Sequence, residues 1–330
     1  MKQRKLSVII PAAGEGRRLK PHTHTTPKAL LTVAGKPIIG HIMERISSLS
    51  CERVIVITGG NQGSMIERYL QDNFPLPFKF VTQENPQGLG DAVYRAKDLV
   101  PDESASLIIL GDTILDMNFS EFIQGENLIG VKRVEDPERF GVVELRDGAI
   151  SRIVEKPQEP KSNLAIVGVY YFSCSGPLFK AIQTIMNNNI KTKGEYQLSD
   201  ALELLIEEGV KIKAYPVEYW LDCGTPAALI ETNRYLLQGN NYFKERPGNV
   251  ILPPVYIADS AIIEESIIGP FVSIADEVEV RRSIIKDSII NHLSVIENSL
   301  LEGSILGENA LIKEKALRLN LGSYSVMEFH

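Results

Sequence analysis

Apolar residues in the first half of the chain follow two alternating patterns. Short unbroken runs, "LSVII" at 6–10, "RVIVIT" at 53–58, "FKFVTQ" at 78–83 and "ASLIIL" at 105–110, are β-branched-rich and predict buried strands. Between them, residues 37–49, 62–74 and 89–100 carry apolar positions at helical spacing, with Pro37 suited to a first helical turn. Regular alternation of strand and helix predicts an α/β domain with a parallel sheet covered on both faces. In such sheets ligands sit beyond the carboxyl ends of the strands, so the residues just after each run are the candidates for chemistry. The middle is richer in strands: "LIGVKRV", "FGVVELR", "AISRIVEK", "LAIVGVYYF" and later "KIKAYPVE". Helices are predicted around 176–188, 197–208 and 225–239, the last stopping at Gly239.

After "RPGN" the pattern changes. An aliphatic residue recurs every five or six positions: Ile257, Ile263, Ile268, Ile274, Val280, Ile285, Ile290, Ile296, Leu301, Leu306 and Ile312. The units "ESIIG", "RSIIK", "DSIIN", "NSLLE" and "GSILG" look alike. A period near six suits neither a helix nor alternating hairpins. It predicts a hexapeptide β-helix, three short strands to a coil, whose inward aliphatics are buried only by stacking on neighbouring coils. Two domains are therefore expected, 1–240 and 241–330.

Composition narrows the field. The net charge of −7, from 35 basic and 42 acidic side chains, argues against a broad nucleic-acid surface. Three cysteines without a CxxC pair argue against a disulfide framework or zinc site and favour a reducing cytoplasm. The basic-then-apolar N-terminus is too short in its apolar run for a secretory signal. No stretch approaches the roughly 20 apolar residues of a membrane span.

The first strand runs into "PAAGEGRRLKPHTHTTPKAL", residues 11–30. It is neither a dinucleotide fingerprint, since Leu19 stands at the third glycine position, nor a Walker A loop. What remains is Gly14 and Gly16, then Arg17 and Arg18, then Lys28. Glycines let backbone N–H groups approach an anion, a guanidinium clamps phosphate oxygens, and an ammonium adds a point charge. That equipment suits phosphoryl or nucleotidyl transfer, where catalysis is mostly positioning and charge neutralisation. Asp112, directly after "LIILG", sits where a parallel sheet presents ligand groups. With Asp222 it would give two carboxylates able to share one Mg²⁺. His22 and His24 lie in a polar loop at a spacing that suits solvent or loop contacts, and Trp220 suits the core.

These residues resemble the signature of the sugar-1-phosphate nucleotidyltransferases, which runs G-x-G-x-R-L-x-P-x-T, then P-K-x-L, then G-K-P. Gly14, Gly16, Arg18, Leu19, Pro21, Thr23, Pro27, Lys28, Leu30, Gly35, Lys36 and Pro37 match it. Arg17 departs from it, standing where the family has Thr or Ser; the spacing points to Arg18 as the triphosphate contact. The resemblance implies Arg18 and Lys28 as catalytic residues, and Ala13, Gly14, Gly16, Gln83 and Gly88 as nucleotide-binding. Within "QENPQGLGDAV", which is similar to the segment of pyrimidine-using members, it has Gln83 bonding the base edge and Gly88 admitting the ring. It implies Gly141, Glu155, Lys156 and Gly168 around the sugar phosphate, from "FGVVE", "VEKP" and "SNLAIVGVYYF". It implies Asp112 of "LGDT" and Asp222 of "YWLDCGTP" as ligands of Mg²⁺. "GEYQLSDAL" looks like a further family segment.

The sequence as a whole is most similar to glucose-1-phosphate thymidylyltransferases with a C-terminal hexapeptide tail. The implied fold is a Rossmann-like, mixed and mainly parallel sheet flanked by helices, followed by a short left-handed parallel β-helix. The implied reaction joins a sugar 1-phosphate, glucose 1-phosphate first, to dTTP or UTP and releases pyrophosphate. The implied partners are these two substrates and further copies of the chain through the β-helix, with no nucleic acid and no membrane. Two other classes stand beside it. A hexapeptide acyltransferase would draw on His292, and a non-catalytic nucleotide-sugar-binding subunit would need none of the charged set.

Overall fold

Within residues 5–313, which the computed structural model describes, each apolar run of the first half forms a strand. They are β1 (Leu6–Pro11), β2 (Arg53–Gly59), β3 (Phe78–Gln83) and β4 (Ala105–Ile109). The helices between them are α1 (Ile38–Ile46), α2 (Gly63–Asn73) and α3 (Leu89–Tyr94). α3 is half the predicted length. Its hydrogen bonding tightens at Ala96 N to Val93 O, 3.1 Å, and the chain continues as a single 3₁₀ turn at Lys97–Leu99.

The middle adds β5 (Thr113–Asp116), β6 (Leu128–Arg133), β7 (Gly141–Arg146), β8 (Ala149–Glu155) and β9 (Leu164–Phe172). Then come α4 (Gly176–Asn187), α5 (Leu198–Glu207), β10 (Lys213–Pro216), β11 (Tyr219–Asp222) and α6 (Pro226–Gly239). One nine-stranded mixed sheet runs β8-β7-β9-β4-β1-β2-β3, with β6 pairing β9 and β10. Strands β4, β1, β2 and β3 are mutually parallel, so their carboxyl ends share one edge. β9 closes this half by running antiparallel to β4. Its register shifts between Ile166 and Tyr170, a bulge that contains Gly168.

Burial follows the period-2 rule of strands. Ile9, Ile55, Ile57 and Ile108 pack with Val93 of α3, Phe179 and Ile182 of α4, and Leu202 and Leu205 of α5. Val8, Ile10, Val54 and Val56 alternate with them and are equally buried. Among the described residues no helix is long and apolar enough to cross a membrane.

The chain divides into two compact units. One holds the residues up to Thr32 and Lys36–Thr232; the other holds Val33–Gly35 and the residues from Asn233 on. Residues 1–4, and the stretch 314–330 of the predicted second domain, lie outside the described residues.

The second unit contains the predicted left-handed parallel β-helix: among the described residues, three parallel sheets of four short strands each. All eleven recurring aliphatics lie in these strands, in vertical register. Ile257 pairs with Ile274, Ile290 and Leu306 in turn. Ile263, Val280, Ile296 and Ile312 form a second column, and Ile268, Ile285 and Leu301 a third. The third column begins one coil earlier than the repeat suggested, at Ile251 in the strand Val250–Ile251, which pairs with Ile268. His292 is half-buried, with Nδ1 2.8 Å from the Asp276 carbonyl oxygen.

The serine of each repeat has a bonding role. Ser283 Oγ donates to Arg281 O at 2.8 Å and accepts from Ser299 N at 3.1 Å. Ser266 does the same one coil earlier, with Glu264 O and Ser283 N. These hydroxyls satisfy backbone groups at corners where no ladder can. Ser283→Ala is expected to cost about 1–3 kcal/mol, because the buried Ser299 N–H loses its acceptor. Ser304→Ala, whose oxygen accepts from no backbone N–H above it among the described residues, is expected to cost less than half as much. Denaturant unfolding of the two variants side by side measures the difference.

Candidate active site

At Pro11 the first strand leaves the sheet, held between its neighbours. Ala12 N–H donates to Ile57 O at 2.8 Å, and Gly111 N–H donates to Pro11 O at 3.0 Å. The loop that follows walls a cleft of about 460 Å³, within the range of small-molecule sites. Ala13, Gly14, Gly16, Lys28, Gln83, Gly88 and Asp112 line it, as do Arg17 and Glu195. Gly16 adopts φ 61°, and a Cβ there would lie 2.8 Å from Thr23 Cγ2 and 3.2 Å from Lys28 Cβ. The Thr23 hydroxyl donates to Gly16 O at 2.9 Å. This turn sets the stem of Lys28. At Gly14 a Cβ would meet nothing within 4 Å, so protein packing does not demand a glycine there.

The two aspartates are brought together by a ladder the apolar pattern did not signal. β5 pairs antiparallel with β11, placing Asp222 opposite Thr113, and Cys223 N–H donates to Asp112 O at 3.1 Å. Lys28 Nζ donates to Asp112 Oδ2. The Lys28 side chain is only 11% exposed, whereas that of Asp112 is 36% exposed, so the ammonium is shielded and the carboxylate keeps a face open. Burial disfavours a charge on Asp112. The Lys28 ammonium, with help from the Thr113 hydroxyl at 3.3 Å, outweighs that penalty and holds the carboxyl below its usual range. Asp222 goes the other way. Burial, then the charge of Asp112, push it up against the opposing pull of Lys28, Arg18 and Arg139. Cys223, next in sequence, is buried with its thiol pushed up to about 12, so it takes no part as a thiolate.

The loop arginines diverge. Arg18 reaches toward the aspartates: its Nη2 lies 2.8 Å from where a Cβ of Gly224 would be, and the Asp222 oxygens lie 2.9 and 3.1 Å from the same point. Arg17 faces the cleft mouth, its Nε 2.7 Å from Glu15 Oε2, both side chains more than half exposed. Arg18 thus stands beside the Asp222 carboxylate, while Arg17 is the one of the two among the residues lining the cleft.

Glu155 and Lys156 end β8 and form a second cluster. Lys156 Nζ is 3.4 Å from Glu155 Oε1, and Ser199 Oγ donates to Glu155 Oε2 at 2.9 Å. Gly141 pairs with Glu155 across the β7–β8 ladder. Lys156 holds φ 44°, a left-handed conformation that costs a non-glycine residue about 1–3 kcal/mol. Its backbone N–H donates to Phe140 O at 3.0 Å, and the Phe140 ring meets Trp220 of β11 edge to face at 4.8 Å. Thus Lys156 and Asp222 sit on elements joined through one aromatic contact. Gly168 is buried in the β9 bulge, its carbonyl accepting from Leu110 N at 3.0 Å. His22 and His24 occupy a 3₁₀ turn beside the loop.

Gly88 serves packing. It adopts φ 116°, and a Cβ would lie 2.5 Å from Tyr196 O. The strand-like crossing is fixed by Gly90 N to Tyr196 O and Tyr196 N to Gln87 O, both 2.8 Å. Gln83, 3% exposed, donates Nε2 to Asp91 Oδ2 at 2.6 Å and to Gly88 O at 3.3 Å.

Sequence reasoning gave no role to Arg139, Thr113, Ser199 and Asp91, although the last three fall inside the matched segments "LGDT", "GEYQLSDAL" and "QENPQGLGDAV". Each acts through a side-chain contact that only the fold creates. Among the described residues no cluster of three or more His, Cys, Asp or Glu forms a metal site; the acidic centre is a pair.

Comparison with known proteins gives one family model, nucleotidyl transferase, matching residues 7–239. The bifunctional protein GlmU of Methanocaldococcus jannaschii is 34% identical, over 96% of this chain and 81% of its own length. A glucose-1-phosphate thymidylyltransferase of Streptomyces antibioticus is 31% identical, over 98% of this chain and 99% of its own. A UTP–glucose-1-phosphate uridylyltransferase, AglF, of Haloferax volcanii is 30% identical, over 67% of this chain and 92% of its own. A crystal structure described as a glucose-1-phosphate thymidylyltransferase of Bacillus anthracis superposes with a TM-score of 0.61 at 27% identity, covering 73% of this chain and 98% of that one.

Proposed function

The chain belongs to the nucleotidyl transferase family, and on that footing we propose that its cleft joins glucose 1-phosphate to dTTP or UTP. It is a sugar-1-phosphate nucleotidyltransferase, which forms a nucleoside-diphosphate sugar and releases pyrophosphate. The observation that carries the proposed roles is the gathering of Lys28, Asp112, Asp222 and Arg18 beside a cleft walled by the glycine loop.

The nucleophile needs no general base, because a sugar phosphate is already anionic near neutral pH. One of its oxygens attacks the α-phosphorus of the triphosphate. The new P–O bond forms as the bond to the bridging oxygen of the β-phosphate breaks, and pyrophosphate leaves with the electron pair. Ala13, Gly14 and Gly16 admit the triphosphate, while Lys28 and Arg18 offset the charge that builds at its oxygens. Lys156 holds the sugar phosphate, and Glu155 accepts from sugar hydroxyls near Gly141 and Gly168. Gln83 and Gly88 bound the base.

Asp112 and Asp222 fit a divalent ion. They offer only oxygens, and a cation between them would offset the burial, and then the Asp112 charge, that raise Asp222. Mg²⁺ held there would neutralise phosphate charge and orient the α-phosphate. The cytoplasm, which supplies both substrates, is the proposed location. The β-helix is proposed to join copies of the chain.

The test is a matrix of dTTP, UTP, CTP, GTP and ATP against several sugar 1-phosphates with Mg²⁺, scored by pyrophosphate release. Turnover is expected with glucose 1-phosphate and dTTP or UTP; no release from any pair overturns the reading. Thymine and uracil differ by one methyl, worth only about 1–3 kcal/mol of discrimination, so both are expected to react at unequal rates. Gly14→Leu separates ligand space from packing. Its melting temperature is expected to stay within about 2 °C while the KM for the nucleotide rises at least about tenfold. Gly88→Ala is expected to fail on stability instead, since its Cβ has no room against Tyr196.

A further inference from the structure

We propose that Asp91 and Arg95, positioning residues remote from the reacting atoms, fix which end of the Gln83 amide faces the cleft and so decide which nucleobases are accepted. The inference rests on the reading of the cleft as a nucleotide site. Both partners of Gln83 Nε2, the Asp91 carboxylate and the Gly88 carbonyl, can only accept. The two N–H bonds of the amide are therefore spent inside the protein, and Oε1 is the atom left for a base.

What enforces this orientation lies one step further back. Asp91 is completely buried in the first turn of α3. Its other oxygen, Oδ1, receives Nε and Nη2 of Arg95, each at 3.1 Å. The three side chains are thus polarised in one sense: guanidinium donates to carboxylate, carboxylate accepts from amide, amide presents oxygen. Turning the amide over would set its oxygen against Asp91 Oδ2 and against Gly88 O, two repulsive contacts in a dry site.

An oxygen acceptor rewards a base that offers a ring N–H. Uracil and thymine carry a hydrogen on N3. Cytosine carries a lone pair at the same ring position, which would face Gln83 Oε1. A buried site built to accept from an N–H rejects the analogue that lacks it, because one of its own polar groups is left unpaired or opposed.

Asp91→Asn preserves the shape and tests the polarity. Arg95 continues to claim the side-chain oxygen at position 91, so the new amide nitrogen faces Gln83. Gln83 then turns over and offers Nε2 to the base. The kcat/KM for CTP relative to UTP is expected to rise at least about tenfold, through both a gain for CTP and a loss for UTP. The double variant Asp91→Asn with Gln83→Glu restores an acceptor toward the base, and the preference for UTP is expected to return toward the wild-type ratio. A merely structural Asp91 would lower all rates together; an unchanged CTP:UTP ratio in the single variant overturns the proposal. Wild-type enzyme that favours CTP also overturns it, while leaving the nucleotide-site reading intact. Wild-type enzyme that uses no nucleoside triphosphate overturns that reading, and this inference with it.

Discussion

Lys28→Met is expected to lower kcat by about 10²–10³-fold, the cost typical of removing one preorganised charge from a developing oxyanion. Methionine keeps the stem that packs beside Gly16, so the loss belongs to the ammonium. The same substitution has a second readout in metal-free buffer. In the wild-type protein Lys28 outweighs burial and holds Asp112 below its usual range. A depressed carboxylate contributes stability that is present above its unfolded pKa of about 3.9 and lost as pH falls through the folded value. Without Lys28, burial, the largest influence on Asp112, is opposed only by the Thr113 hydroxyl and a backbone hydrogen bond, so its pKa moves above the unfolded value and the contribution changes sign. The variant is therefore expected to melt below wild type at pH 7, with the gap narrowing as pH approaches 4. Chelator-treated melts at the two pH values check this. A gap that stays constant with pH would show that Lys28 matters to the fold only through packing.

How the sequence disclosed this centre explains what it withheld. Asp112 could be found because it follows an apolar strand, where an α/β sheet presents its ligands. Lys28 and Arg18 could be found because glycine and proline mark their loop. The proximity of Asp222 to Asp112 had no local signal. It depends on two four-residue strands, Thr113–Asp116 and Tyr219–Asp222, too short to show a period. The counter-charges followed the same logic. Arg139 pulls on Asp222 from a neighbouring loop, and a lone arginine in a polar stretch reads as solvated until the fold is known. Gln83 was legible as the proposed base reader, yet the orientation of its amide was not, since a buried carboxylate eight residues on holds it. In the second unit the six-residue period was strong enough to place the three stacked columns of aliphatics from Ile257 on, though not Val272 and Val278, which join the same core. Ile251 lay outside the counted recurrence, which began only at Ile257, after Pro253 and Pro254. Segments whose partners are local or periodic were readable; those whose partners arrive from distant loops were not.

Asp112 and Asp222 are paired in the proposed function, yet they are expected to part in stability. Either substitution by Asn should reduce turnover by at least about 10²-fold, since each removes one proposed ligand of the divalent ion. In chelator, however, Asp222→Asn is expected to raise the melting temperature by about 1–3 °C, as relieving a destabilised active-site charge commonly does. The sign follows from the raised carboxyl. Burial and the neighbouring Asp112 disfavour its charge in the folded state, while the unfolded chain carries that charge freely. At pH 7 the folded protein bears this cost, and it disappears only as pH falls below the unfolded value of about 3.9. Asn removes it at neutral pH, so the gain should fade on acidification. Asp112→Asn should do the reverse, because it strands the shielded Lys28 ammonium without its partner. Added Mg²⁺ completes the comparison: it should raise the melting temperature of wild type and leave both variants nearly unmoved. Should the two variants shift in the same direction in chelator, the two aspartates do not share an electrostatically strained site, and the case for a cation between them fails.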